Sequence, residues 1–587
     1  MIKALKLGNL PNGLNQYNKE SLVADVTAAT IVTVLLIPQS LAYALLAGVP
    51  PEVGLYASIL PLIAYALWGS SRTLSVGPVA VLSLMTAATL GSVVDPNSSS
   101  AAADYLTAAT TLALLSGVFL TIMGLLKLGF IANFLSHSVI SGFITASGVI
   151  IALSQMKHML GVSAHGDTLT ELIPSLLSHV SELNFFSLSL GALVLIGLLL
   201  IRSQLGSLLT GFGIAKQKAS TLVKVAPILV IVASIIAAAL FNLEAKGVAL
   251  TGAIPAGLPS LQFSLPSWEL IKALSLPALM LSIIGYVESI SVGKTLAAKR
   301  AQRVEPNQEL LGLGAANISS AISGGFPVTG GFSRSVVNFD AGAQTQAASI
   351  FAALGIALAS LLLTPWLYYL PKAALAATII VAVITLIDFS MLKTTWSISR
   401  RDFWAALTTI IVTLFLGVEP GVACGVALSL GIHLYQTSVP HIAEVGLITG
   451  TEHFRNVRRY QVETCPRALC LRPDESLFFA NAAYLEEVIN RLVYERDAVA
   501  HVVIQCSAIN EVDFSALETL EALNERLSNQ GIALHLSEVK GRVMDTLGRA
   551  GFLEHLSGEV FLTQYQAFTH VCQLTHGTPF DSSHLKE

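Results

Sequence analysis

Charged residues are scarce in this sequence. Only 12% of the 587 residues are charged, 53% are hydrophobic, and the net charge is −4. A soluble globular chain carries about 25% charged residues, so the scarcity excludes an ordinary soluble protein for most of the length. The slightly acidic balance also excludes the basic surface through which proteins bind nucleic acid.

Cysteine pairs with metal-binding spacing are missing as well. The five cysteines form no Cys-X-X-Cys pair and stand in no His-rich tract, which argues against a metal site and favours free cytosolic thiols. Lys3 and Lys6 precede a polar stretch rather than the apolar core of a cleavable signal. The C-terminal part holds no catalytic constellation, so we expect no cofactor, no metal and no enzymatic activity.

Long apolar runs dominate instead, from about Val23 to about Tyr435, and ordinary soluble composition returns after Arg455. The composition predicts a cytoplasmic N-terminal segment over 1–20, a membrane domain over 21–440, a cytoplasmic domain over 441–575 and a tail over 576–587. Because about twenty apolar residues cross a bilayer, we predict fourteen spans. They lie near 22–46, 52–68, 75–92, 105–126, 134–156, 186–201, 222–241, 270–293, 308–323, 328–338, 344–364, 371–388, 402–417 and 419–437.

The distribution of lysine and arginine predicts the orientation of these spans. With the N-terminus inside, sixteen basic residues fall in inside segments, and only Lys157, Lys246, Lys272 and Lys372 fall outside. We therefore expect a multi-pass protein of the cell inner membrane with both termini in the cytoplasm.

Two of the predicted spans are broken by glycine and proline at matching places. Pro78 interrupts the third span and Pro327 interrupts the tenth. Gln39 lies 39 residues before Pro78, and Glu288 lies 39 residues before Pro327. Seven spans precede about residue 245 and seven follow, which is the pattern of two inverted repeats.

Such breaks predict the charge of the substrate. Proline removes a helix hydrogen bond, and unpaired amides at membrane depth are tolerated only against protein or a watery cavity. Two half-helices that begin near the midplane would point their N-termini at one site, at Val79 and Ala80 in the third span and after Thr329 in the tenth. Their amides and positive dipole ends favour a small anion.

Polar residues inside spans are functional candidates. Glu288 in the eighth span is predicted to act as a proton-linked gate; the alternatives are part of a cation site or a structural carboxyl group. Arg334, just after the tenth break, would place a permanent positive charge beside the anion, unless it extends to the surface. Thr329 and Ser333 could donate hydroxyl groups to the same anion.

Residues of the first span complete the predicted site. Gln39 and Tyr43 stand one turn apart after Pro38 and can share a face toward the cleft, although Tyr43 is equally compatible with ordinary packing. Asp25, near the start of this span, is expected to be a solvated charge at the membrane surface.

Two long motifs resemble the SulP (sulfate permease) family of anion transporters. The first runs from Pro38 to Pro51 and on through Gly54–Tyr56, and the second runs from Gly325 to Ser335. The family includes plant sulfate transporters, a cyanobacterial bicarbonate transporter, and animal prestin and pendrin.

The resemblance implies an all-α membrane domain of the uracil-permease type, with about fourteen spans in seven-plus-seven inverted repeats. A mobile core of spans 1–4 and 8–11 would move as an elevator against a gate of spans 5–7 and 12–14, and most members are homodimers. By motif match, Gln39 and Tyr43, the acidic position Glu288, and the pair Ser333 and Arg334 fall on the family's site positions.

The transported ions are narrowed by the same resemblance. Glu288 is a glutamate, as in plant proton-coupled sulfate transporters, whereas the bicarbonate transporter has an aspartate and a sodium site. We therefore favour proton-coupled sulfate uptake. The alternatives are sodium-coupled bicarbonate transport, anion exchange, or an uncoupled anion channel or sensor. A cation partner fits the energetics, because the membrane potential opposes anion entry by about 2.3 kcal/mol per charge per 100 mV.

The C-terminal part alternates strand and helix patterns, with strands over 498–505 and 531–536 and a helix over 515–528. This order predicts a small α/β layer and resembles a STAS domain, which usually follows SulP membrane domains. Ser515 matches the phosphorylated serine of STAS antagonists and is a candidate regulatory residue, although Ala516 replaces the usual glycine. The other interpretation is that Asp513 or Ser515 caps the helix.

Overall fold

The computed structural model describes residues 17–94, 101–134, 136–215, 219, 222–223, 225–261, 266–496 and 498–576. The described residues form two compact units, one ending at Ser429 and the other beginning at Leu430. The first unit is almost entirely helical, and the second is a sheet covered by helices.

Nineteen labelled helices and two short strands make up the described part of the first unit, and the last of these helices continues into the second. They are α1 Lys19–Leu46, α2 Pro51–Tyr56, α3 Leu60–Trp68, β1 Val76–Gly77, α4 Ala80–Val93, α5 Ala101–Leu125, α6 His137–Leu160, α7 Leu169–Ser178, α8 Phe185–Leu200, α9 Gly206–Gly211, α10 Pro227–Leu240, α11 Trp268–Ala298, α12 Pro306–Ile322, β2 Thr329–Gly330, α13 Phe332–Asp340, α14 Ala347–Leu362, α15 Thr364–Leu367, α16 Lys372–Ile384, α17 Ser390–Ile398, α18 Arg400–Leu416 and α19 Val418–Ser438.

The predicted membrane architecture is confirmed, since every one of the fourteen predicted spans contains a helix. Among the described residues, seven helical segments are long and apolar enough to cross a bilayer, and five shorter apolar helices accompany them. Hydropathy did not predict α7 or α17 as spans, because helices of 10 and 9 residues are too short to cross a bilayer. The third and tenth spans are each a two-residue strand followed by a half-helix, α4 and α13.

Local sequence explains where the helices begin and bend. The Asn18 side chain accepts a hydrogen bond from the Ser21 amide and caps α1, and Ser267 caps α11 in the same way. Helix α6 is followed by Gly161 as its C-cap, and the φ of 70° at this position suits glycine. Pro38 lies inside α1, which removes one helix hydrogen bond one residue before Gln39.

The helices pack in two sets that correspond to the core and the gate. In the core set, α12 packs on α5 and α3, α11 on α5, and α14 on α1. In the gate set, α6 packs on α16 and α18, and α8 packs on α16. Both half-helices contact α1 and α11 of the core set, so the two broken segments belong to the same packed body.

One sequence expectation is wrong. Asp25 was expected to be solvated, but its side chain is fully buried. Its carboxylate accepts hydrogen bonds from the Gln344 and Thr345 amides at 2.7 and 3.1 Å and from the Thr345 hydroxyl at 2.6 Å. These donors replace water and make burial of the charge tolerable.

The second unit holds a six-stranded sheet. Its elements are β3 Ile442–Leu447, β4 Phe454–Asn456, β5 Ala468–Pro473, α20 Ala482–Tyr494, β6 His501–Gln505, α21 Phe514–Asn529, β7 Ala533–Ser537, α22 Gly541–Arg549, α23 Phe552–His555, β8 Val560–Phe561 and α24 Gln564–His576. The strand order is β4-β3-β5-β6-β7-β8; β3 pairs antiparallel with β4 and β5, and the other pairs are parallel. The predicted strand, helix and strand are thus β6, α21 and β7, and the small α/β domain is confirmed.

The thiols of this second unit are buried in its cores. Burial raises the pKa of Cys470 and of Cys506 to about 12, so both stay protonated at neutral pH. No group of three or more potential metal ligands lies together in the described part of the chain.

Candidate functional site

The two broken spans meet through their backbones. Strands β1 and β2 pair antiparallel, with Val76 opposite Gly330 and Gly77 opposite Thr329. The Gly331 amide also donates to the Ser75 carbonyl at 3.2 Å. Pairing satisfies backbone groups that would otherwise be exposed at membrane depth, and it brings together two segments that are some 250 residues apart.

A half-helix starts directly after each strand. Val79 is the N-cap of α4 and Gly331 is the N-cap of α13, and among the described residues no side chain caps either end. The first amides that donate to a carbonyl of the same segment are those of Ser83, to Val79, and of Ser335, to Gly331. The preceding amides, at 80–82 and 332–334, therefore remain for a ligand, and both dipoles favour an anion.

Arg334 crosses from one half-helix to the other broken segment. Its side chain is 3% exposed, and its Nη2 donates to the Pro78 carbonyl. Its Nη1 is buried and has no hydrogen-bond partner within the described chain. An unpaired guanidinium N–H in a buried site is costly, so this atom is a donor ready for an anion.

Glycine makes room for this guanidinium. A Cβ atom at Gly77 would overlap Nη1 of Arg334, and one at Gly331 would lie 2.6 Å from its Nε. Sequence reasoning took these glycines only as helix breaks. The structure adds that they clear the space that the arginine occupies.

Helix α11 supports β2 through a relay of hydrogen bonds. The Gly330 amide donates to the Ser289 hydroxyl at 2.7 Å, the two hydroxyls of Ser289 and Thr329 lie 2.6 Å apart, and Thr329 donates to the Gly285 carbonyl at 2.6 Å. Ser289 was missed from the sequence, although its place beside Glu288 was a signal. Thr329 is 1% exposed, and its predicted contact with substrate stays a prediction.

Glu288 directly precedes Ser289 in the sequence, and its side chain faces an apolar cleft. It lines a cavity of about 20 Å³ together with Phe143 and Ile144 of α6 and Val422 of α19. No hydrogen bond or ion pair is made by its side chain to any described residue, while Arg334 and Tyr43 lie near enough to interact with it electrostatically. A carboxyl group with apolar neighbours and one cation in reach is suited to bind and release a proton.

Gln39 and Ser333 lie on a larger cavity between the core and gate sets. Its volume is about 220 Å³, and Arg202 and Thr378 of the gate set also line it. Tyr43, one turn beyond Gln39, is 8% exposed and is not among its lining residues. Arg202 is one of the sixteen basic residues that the sequence places on the cytoplasmic side. Its place on the cavity was not predicted, because its neighbours there come from distant segments.

Apart from Thr329, which belongs to the hydrogen-bond relay, the predicted site residues of the membrane domain fall into three groups. Val79 and Ala80 form the start of α4 and are almost fully buried. Tyr43, Glu288 and Arg334 interact electrostatically, and Gln39 and Ser333 line the cavity. Ser515 belongs to the other unit, where it is exposed on the first turn of α21; Asp513 is the N-cap and accepts from the Ala516 amide at 2.8 Å.

Comparisons with known proteins match this arrangement. The sequence profile of the sulfate permease family matches residues 22–409, and that of the STAS domain matches residues 459–567. Sulfate transporter 4.1, chloroplastic, of Arabidopsis thaliana is 34% identical over 97% of this chain and 82% of its own length. A probable sulfate transporter of Mycobacterium tuberculosis (strain CDC 1551 / Oshkosh) is 32% identical over 93% of this chain and 95% of its own.

Solved structures share the fold at lower identity. The structure of SLC26A9 superposes with a TM-score of 0.85 at 23% identity, covering 98% of this chain and 95% of that one. The transmembrane domain of the cyanobacterial bicarbonate transporter BicA superposes with a TM-score of 0.58 at 22% identity, covering 69% of this chain and 98% of that one.

Proposed function

Because the chain belongs to the sulfate permease family, and is a multi-pass anion transporter rather than an enzyme, we propose that it takes up sulfate together with protons. The observation that carries this proposal is the unpaired, buried Nη1 of Arg334 beside the uncapped N-termini of α4 and α13. Backbone amides and a guanidinium together suit the oxygens of a tetrahedral dianion.

In this proposal Glu288 carries the coupled proton. Protonated Glu288 would leave the charge of Arg334 free for sulfate, whereas ionised Glu288 would compete with the anion for that charge. Binding of sulfate and of a proton would then favour each other. The apolar lining from α6 and α19 supports this role, because it offers the ionised carboxylate no compensating donor.

We further propose that the two helix sets move against each other as an elevator. Both half-helices pack on the core set, while the cavity at Gln39 and Ser333 has its opposite wall in the gate set. Movement of the core as one body would carry the anion without taking apart the paired strands β1 and β2. An inner-membrane location, cytoplasmic termini and a homodimer are part of the same proposal.

Uptake of radiolabelled sulfate into proteoliposomes tests the coupling. We expect an inward proton gradient to drive uptake and a sodium gradient to have no effect. Glu288→Gln should abolish the response to the proton gradient, because the amide cannot ionise. Glu269→Gln, an exposed carboxylate in the first turn of the same helix, is the matched control and should behave as the wild type.

Four outcomes would contradict this proposal. Uptake driven by sodium alone, or bicarbonate that outcompetes sulfate at similar concentration, would support sodium-coupled bicarbonate transport. Anion currents that continue in Glu288→Gln without any coupled proton would support a channel. Uptake that needs only a counter-anion inside the vesicle would support exchange.

For the STAS domain we propose a regulatory role at Ser515. Its exposed place on the first turn of α21 leaves the hydroxyl accessible, and added negative charge at a helix N-terminus is favourable. Ser515→Asp should change the maximal uptake rate, while Ser515→Ala should not. Equal rates in both variants would exclude regulation through this residue.

A further inference from the structure

The turn between α13 and α14 is held by two opposite charges from two other helices. Residues 341–346 form this turn, which follows the half-helix that carries Arg334. Asp25 contacts it from α1, and Arg300 contacts it from the turn after α11. Neither charge lies at the anion site. Asp25 was expected to be solvated, and Arg300 is one of the sixteen basic residues that the sequence places on the cytoplasmic side.

Asp25 holds the side of the turn that leads into α14. Its carboxylate accepts from two successive amides, Gln344 and Thr345, and from the Thr345 hydroxyl. Ser21, one turn earlier on α1, donates to the Gln344 side chain at 2.8 Å. A negative charge at the start of a helix is stabilised by the helix dipole, so the interaction is both polar and directional.

Arg300 holds the side of the turn that ends α13. Its Nη2 donates to the Phe339 carbonyl at 2.8 Å, and its Nη1 donates to the Ala343 carbonyl. The guanidinium also lies 4.1 Å from the centroid of the Phe339 ring. A cation at a helix C-terminus is favourable for the same electrostatic reason, and the planar fork joins two carbonyls that a point charge could not hold equally.

The half-helix needs such an anchor. Helix α13 has nine residues, a length at which an isolated helix is not stable in water. Its first end is fixed by the pairing of β1 and β2 and by the relay through Ser289. A rod of about 14 Å that is fixed at one end can still tilt, and a second anchor at its other end removes that freedom.

We propose that Asp25 and Arg300 are positioning residues for the transported anion: they fix the C-terminal end of α13 and thereby aim Ser333 and Arg334 at the site. This inference rests on the proposed anion site. Arg300 lies in the turn directly after α11, the helix that carries Glu288. Its hydrogen bonds to the Phe339 and Ala343 carbonyls therefore join the end of α11 to the end of the half-helix that carries Arg334.

Sulfate affinity of matched variants tests the proposal. Arg300→Gln should raise the KM for sulfate about tenfold, with the maximal rate within about twofold, because displacement by a fraction of an ångström weakens a positioned site. Arg300→Lys should restore part of the loss, since one ammonium group keeps the charge but not the fork. Arg303→Gln removes an exposed cation three residues further along and should leave the KM unchanged.

A binding measurement separates this proposal from the transport proposal. The rise in Tm with added sodium sulfate, measured on purified full-length protein, should need about tenfold more sulfate in Arg300→Gln and in Asp25→Asn. Absence of any response in the wild type would count against sulfate as substrate, independently of the role of Asp25 and Arg300. A wild-type sulfate response in Arg300→Gln, or an equal shift in Arg303→Gln, would overturn the positioning role.

The conservative variant keeps the test decisive if Arg300→Gln does not fold. Arg300→Lys should then show an intermediate KM, about threefold above the wild type, at an unfolding temperature close to it. An unchanged KM in a stable Arg300→Lys would also overturn the proposal.

Discussion

The two half-helices share a backbone design and differ in side chains. Helix α4 begins with Ala80 after a valine N-cap and presents apolar residues in its first turn, whereas α13 presents Ser333 and Arg334. Their far ends differ as well: Thr89 of α4 donates to Glu419 of α19 at 2.9 Å, and α13 is held by Arg300. One half therefore offers amides alone, and the other offers amides with a charge that is held within the core.

This difference indicates a division of labour within the repeat. The repeated element is the uncapped helix N-terminus, which needs only a backbone break. Affinity and selectivity for a dianion would come from α13, and the link to the gate set would come from α4.

The largest effect is expected from the charge on α13. Arg334→Gln should lower sulfate affinity about a hundredfold, because it removes a charge-assisted donor that no neighbouring residue replaces. Arg334→Lys should recover part of it. Sulfate KM and binding by thermal shift are the measurements, and affinity within threefold of the wild type in a folded Arg334→Gln would contradict the assignment.

Crowding the same arginine from the other half should give a smaller effect. In Gly77→Ala the new Cβ would overlap Nη1 of Arg334, and the guanidinium must shift, so sulfate KM should rise about tenfold. Gly91→Ala on α4 is the control, because its Cβ would meet no atom within 4 Å. Equal KM values for the two variants would show that the position of the guanidinium does not matter.

Loss of the contact between α4 and the gate set should alter rate rather than affinity. Thr89→Val removes the hydrogen bond to Glu419, which would have to break in the proposed movement of the core set against the gate set. Since such a bond contributes about 1 kcal/mol, the maximal rate should rise about fivefold with KM unchanged. Thr86→Val is the control, because the Thr86 hydroxyl has no partner among the described residues. Identical kinetics in both variants would show that the hydrogen bond between Thr89 and Glu419 does not limit the transport rate.

The smallest effect is expected from the side chain at the N-cap of α4. Val79→Ala keeps the amides in place, so sulfate affinity should stay within about twofold of the wild type. Uptake at several sulfate concentrations gives the KM. A loss as large as that of Arg334→Gln would mean that α4 contributes more than its backbone.

Local features of the sequence predicted most of the fold. Apolar runs predicted the spans, and the shared spacing of 39 residues before Pro78 and Pro327 predicted the paired breaks, because hydropathy and proline act over short distances. The contacts of Asp25 and Arg300 with the turn between α13 and α14 were not predictable in this way. Asp25 contacts residues 319 and 320 positions away, and Arg300 contacts residues 39 and 43 positions away. Each charge alone resembles one at the membrane surface.

The position of the anion tests the central claim most directly. Selenate has the shape and charge of sulfate, and anomalous diffraction locates its selenium in crystals of the full-length protein. We expect one strong peak within hydrogen-bond distance of the amides that begin α4 and α13 and of Nη1 of Arg334. Selenate bound elsewhere, with this position empty at saturating concentration, would contradict the account.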